Sequence, residues 1–116
     1  MVNSTIECQI NYIKNNKSFL IENISIDDYK NKRIFENFKK KIINRCINNL
    51  CDKIQLTLNY EEKIIMYLTN IGRNEYLIEV NKYINQKEEH LETLYIIPKY
   101  GYRYNYLIPV FFYPFY

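Results

Sequence analysis

His90 is the single histidine of the chain and stands in the run Glu88-Glu89-His90-Leu91-Glu92. On a strand, His90 and Glu92 would share a face, and an imidazole oriented by a carboxylate is a general base. With a tyrosine or lysine nearby, such a pair supports metal-free RNA cleavage. Nothing in the flanking sequence fixes a nucleophile, and Gly72 and Gly101 are too few to build a phosphate-cradling loop. The run reads more simply as an exposed acidic turn, so no residue is assigned a catalytic role.

Cys8, Cys46 and Cys51 are an odd number of thiols and cannot all pair within one molecule. Their simplest role is that of small core hydrophobes in a reducing compartment. A Cys3His zinc site with His90 would need ligand spacings that the sequence lacks. Neither a metal nor a cofactor is expected.

Charge is the next feature. Residues 27–53 hold eight cations (Lys30, Lys32, Arg33, Lys39, Lys40, Lys41, Arg45, Lys53) against Asp27, Asp28, Glu36 and Asp52, a net of +4 in a chain of +3 overall. Within it, Lys32, Arg33, Lys39, Lys40, Lys41 and Arg45 form a candidate basic face on a helix, able to hold phosphates through charge and counterion release. The plainer reading is a solvated helix surface in a lysine-rich chain.

The C-terminus is the most informative stretch. Tyr100-Gly101-Tyr102-Arg103-Tyr104-Asn105-Tyr106 runs into Leu107–Tyr116, with no acid from Pro98 onward. Tyrosine and arginine combine large contact area with a polar tip, which is why they dominate interface hot spots, and they also stack on single-stranded bases. Either these rings fill the end of the core or they meet another molecule, a second copy included. The candidate partner-binding residues are Tyr100, Tyr102, Arg103, Tyr104, Tyr106, Phe112, Tyr113, Phe115 and Tyr116.

The elements that must carry these groups are legible from periodicity. Residues 5–12 alternate, with Ile6, Cys8, Ile10 and Tyr12 on one face, and Asn15-Asn16 can turn the chain back through Phe19 and Ile21. A slip of phase before Ile24 suggests a bulge near Glu22. Ser25 or Asp27 can cap a helix over Tyr29–Leu50 whose stripe is Ile34, Phe35, Phe38, Ile42, Ile43, Cys46, Ile47 and Leu50. Beyond it, Ile54/Leu56/Leu58/Tyr60 and Tyr76/Ile78/Val80 alternate as strands. Lys63–Thr69 is apolar on both faces and so central. Residues 85–90 are a turn or a short helix, and Leu91–Ile97 a further strand.

The expected fold is therefore one α+β domain over residues 1–116. An N-terminal β-hairpin and one long amphipathic helix precede an antiparallel meander of about four or five strands curled over the helix. In layout alone this resembles cystatin-like and other helix-grip folds, and no motif of those families is present.

Asn, Ile, Lys, Tyr and Phe fill more than half of the chain while Ala and Trp are absent, the imprint of a low-GC genome. Met1–Gln9 lacks the character of a signal peptide, and the apolar run Leu107–Tyr116 is too short and too proline-broken to span a bilayer. An intracellular, cytoplasmic protein without a membrane partner is expected. In size and lack of catalytic groups it is similar to anti-CRISPR and other anti-defence inhibitors, a likeness of type. Three functions follow in order: a viral or mobile-element binding protein that occupies a host protein or nucleoprotein, an RNA- or single-stranded-DNA-binding protein, and a small nuclease centred on His90.

Overall fold

The strand patterning resolves into a single seven-stranded sheet whose spatial order, β1-β2-β3-β4-β5-β6-β7, is also the order in sequence. The structure, a computed structural model, describes residues 6–59 and 61–98, and residues 105–109 as backbone. The strands are β1 (Gln9–Ile13), β2 (Ser18–Glu22), β3 (Lys53–Thr57), β4 (Glu62–Gly72), β5 (Glu75–Ile84), β6 (Lys87–Pro98) and β7 (Asn105–Pro109). The α+β class is as the sequence implies. The sheet is mixed rather than wholly antiparallel, because β2 and β3 run parallel, with Ser18 opposite Lys53 and Ile21 opposite Leu56. Parallel neighbours need a long crossover, and the helical segment between them supplies it.

That segment is two helices, α1 (Ile26–Lys30) and α2 (Lys32–Asn48), where periodicity implies one. Ser25 caps α1 by accepting from the Asp28 amide, and Asn31 caps α2 by accepting from the Ile34 amide at 3.2 Å. Asn31 itself is extended (φ −79°, ψ 100°), which breaks the helix while reusing its own side chain as a cap. The apolar stripe is graded: Ile42, Ile43, Cys46 and Ile47 are buried, Ile34, Phe35 and Phe38 only half so. They close a core with Phe19, Ile21, Ile54, Leu56, Ile64, Met66, Leu68, Ile78, Val80, Leu94 and Ile96.

Leu50 departs from the stripe. It is 80 % exposed, with φ at 58°. Its amide donates to the Ile47 carbonyl at 3.1 Å and that of Cys51 to the Cys46 carbonyl at 2.9 Å, the paired bonds of a Schellman end. A leucine there carries the left-handed penalty, about 1 kcal/mol, with almost no packing in return. Leu50→Gly should therefore stabilise by roughly 0.5–1 kcal/mol. Thermal unfolding checks it, and a lower Tm than wild type would contradict it.

The hairpins are made by short polar turns. Asn85 and Gln86 (φ 50° and 69°) join β5 to β6, so residues 85–90 contain a tight turn and the start of a strand and no helix. No bulge interrupts β1/β2 near Glu22; the ladder runs unbroken from Gln9–Glu22 to Ile13–Ser18, and Asn23 (φ 64°) turns the chain after it. The register shifts instead near the end of β4, between Asn70 and Gly72, and between Val80 and Asn81, where β6 carries one extra residue, Leu91. Among the described residues no helix is long and apolar enough to cross a membrane.

Candidate functional site

The bulge at Leu91 determines which face each polar group of β6 occupies. Val80 pairs with Glu92 and Asn81 with His90, so one residue is skipped and the alternation shifts phase. Glu92 consequently points to the helix side and His90 to the opposite, helix-free side. The expected His90–Glu92 pair does not form.

Glu92 binds Lys39 instead. The Lys39 ammonium lies 2.8 Å from Glu92 Oε2 and 2.7 Å from Glu36 Oε2, and the residue is 3 % exposed. Burial alone would lower its pKa; hydrogen bonds and charge from Glu36 and Glu92 outweigh this and hold it above the ordinary lysine value. Lys39 is thus removed from the basic face, where its i+3 spacing from Glu36 hides a structural ion pair. Lys32, Arg33, Lys40, Lys41 and Arg45 do lie exposed along α2. The Arg45 guanidinium sits 5.7 Å from the centre of the Phe19 ring. A cleft of about 290 Å³ opens beside Lys39, with Tyr29 and Phe35 on one side and Leu91 on the other.

On the helix-free face, alternation gathers Lys63, Ile65, Tyr67 and Thr69 from β4 with Leu77, Glu79, Asn81 and Tyr83 from β5. Glu88, His90, Thr93 and Tyr95 complete it from β6. Within this set a hydrogen-bonded chain is fully determined. Glu88 Oε1 accepts from Asn81 Nδ2 at 3.1 Å, which aims the Asn81 carbonyl oxygen at His90 Nδ1, 2.9 Å away. A carbonyl oxygen can only accept, so His90 donates from Nδ1, and in the neutral ring Nε2 accepts from the Thr93 hydroxyl at 3.0 Å. Hydroxyl, imidazole and orienting amide thus stand in the order of a nucleophilic relay. His90 is nevertheless exposed, and its base nitrogen is occupied by a hydroxyl from the same surface.

Tyr67 and Tyr83 flank this chain, close enough for each phenol to feel the other. The Tyr67 phenol, burial and the nearby Glu88 together push the Tyr83 phenol up to about 12. Lys53 places its ammonium 6.0 Å from the centre of the Tyr67 ring, and the Tyr95 hydroxyl donates to Glu75. Asn81 is buried in the middle of the face at 4 % exposure although no helix covers it. The face presents Tyr67, Tyr83 and Tyr95 side by side, with the Tyr95 hydroxyl held by Glu75. Its charged groups are of both signs: Lys53 and Lys63 stand with Glu75, Glu79 and Glu88.

Sequence reasoning did not single out Tyr67, Tyr83, Asn81 or Thr93. The available signal was tyrosine at outward positions of strands with aliphatic inward ones. Of the C-terminal candidates, Tyr106 stands in β7 opposite Ile97. Tyr100, Tyr102, Arg103, Tyr104, Phe112, Tyr113, Phe115 and Tyr116 lie outside the described residues. Cys8, Cys46 and Cys51 are free thiols. Among the described residues no three of His, Cys, Asp and Glu converge as metal ligands. Compared with family models, curated proteins and solved structures, the chain matches none of them.

Proposed function

We propose that this chain is a non-enzymatic binding protein that acts by occupying a host protein, with the helix-free tyrosine face as the contact surface. The observation that carries the reading is the Tyr67–Tyr83 pair beside the Glu88–Asn81–His90–Thr93 chain. Rings held in place before contact lose little entropy on binding, which is the quality that makes tyrosine an interface anchor. The mixed charge of this face suits a protein partner better than a phosphate backbone. The low-GC composition supports a virus or mobile element as the source and an anti-defence inhibitor as the type. On this reading the protein works inside the host cell.

A nucleic-acid-binding reading has its own support in the exposed Lys32, Arg33, Lys40, Lys41 and Arg45. These lie on the far side of α2, across the core from the tyrosines, so the two features are separate surfaces. One experiment separates the readings. Affinity capture from the native host should be run with wild type, with Tyr67→Ala/Tyr83→Ala, and with Lys32→Glu/Lys40→Glu/Lys41→Glu. The expected result is a stoichiometric protein that survives the helix substitutions and is lost, by tenfold or more, with the two tyrosines. Recovery of nucleic acid that depends on the helix lysines would overturn the proposal. A purely homodimeric product in solution-mass measurements would also overturn it.

A further inference from the structure

The Schellman end of α2 brings two thiols together. In this motif the side chains at the third helical residue from the end and the second residue beyond the C-cap make contact, usually as hydrophobes. Here those positions are Cys46 and Cys51, tied by the 2.9 Å bond from the Cys51 amide to the Cys46 carbonyl, which sets the two thiols beside one another. Cys46 is fully buried. Cys51, 6 % exposed, borders a small cleft of about 170 Å³ with Leu68, Asn70 and Tyr76, so it is the more accessible of the two thiols.

We propose that Cys46 and Cys51 form a reversible disulfide when the protein meets a peroxide. Cys51, as thiolate, attacks one peroxide oxygen; the O–O bond breaks, and hydroxide leaves and takes up a proton to give water and a sulfenic acid. The Cys46 sulfur then attacks the Cys51 sulfur, its proton leaves with the hydroxyl as a second water, and the S–S bond closes. Two thiols are oxidised and one peroxide is reduced to two waters. A dithiol reductant reverses the step by exchange.

Burial raises both thiols above the ordinary cysteine value, so they rest protonated and the reaction quickens as pH rises. The turn needs no rearrangement of secondary structure, since the backbone bond already holds the two residues side by side. The bridge would lock the last turn of α2 to the start of β3. Leu50, exposed on the loop between the thiols, stands at the rim of the same cleft.

The test uses the whole protein, as wild type and as Cys8→Ser. Hydrogen peroxide is added under native conditions, and the protein is then denatured, alkylated and digested. The expected result is loss of two alkylatable thiols and of two hydrogens in mass, with one Cys46–Cys51 cross-linked peptide from a monomer. Dithiothreitol should restore both thiols, and Cys8→Ser should behave as wild type. Retention of both thiols in Cys8→Ser, a link through Cys8 in the wild type, or over-oxidation of Cys51 without a link would each overturn the proposal.

Discussion

Phe19→Ala is expected to cost about 3–5 kcal/mol of folding free energy, enough to leave a domain of ordinary stability barely folded. Phe19 is 2 % exposed and stands where three parts of the chain meet. It pairs in register with Tyr12 of β1, its ring 5.5 Å from that of Tyr12, and with Ile54 of the parallel strand β3. Arg45 of α2 caps the ring from above. Truncation therefore opens a cavity between the hairpin, the helix and the rest of the sheet, and none of these can collapse without breaking a ladder. Denaturant unfolding measures the loss. Leu20→Ala, one residue along on the helix-free face, should cost far less, and near-equal costs for the two would refute this placement of the core.

Lys39→Met should cost roughly 2 kcal/mol at neutral pH, below the 3–5 typical of breaking a sealed pair, because Glu36 and Glu92 keep access to water. The difference from wild type must also depend on pH. The folded protein binds the Lys39 proton more tightly than the unfolded chain does. Its stabilising contribution is thus complete below the unfolded lysine value, about 10.4, and is lost as pH rises through the higher folded value. Cys46 and Tyr83 are raised in the same sense and also weaken the fold in alkali, but both remain in the variant and cancel in the comparison. Denaturant titrations of both proteins at neutral and strongly alkaline pH should show the gap between them shrinking. A gap that holds or widens would disprove the ion pair as the source of the cost.

Local periodicity made much of this fold readable. The burial of Ile54 and Leu56, of Ile78 and Val80, and of Ile42, Ile43, Cys46 and Ile47 follows from spacing alone. The central position of β4 does too, while Ser25, one of two caps the sequence offers, caps the short α1 and not the long helix. What was not readable depends on partners distant in sequence. The charge of Lys39 looks like surface until Glu92, on another element, comes alongside it. The extra residue at Leu91 reverses the faces of His90 and Glu92, and no residue type announces it. Asn31 can cap a helix or continue one, and only packing decides between them. The parallel β2/β3 pairing likewise arises from topology, since alternation carries no direction. The candidate site was the least legible part, because the Tyr67–Tyr83 contact depends on the β4/β5 register, in which Tyr83 stands opposite Lys63.

The agreement between spatial and sequence order has a kinetic consequence. Every neighbouring pair from β3 to β6 is joined by a tight connection, so these strands can zip one onto the next with little loop entropy to overcome. The β2–β3 junction is different: its ends meet only after both helices have formed and docked. That closure spans the longest connection between paired strands among the described residues and so carries the largest loop-entropy cost, offset by the contacts that Phe19 and α2 make across the seam.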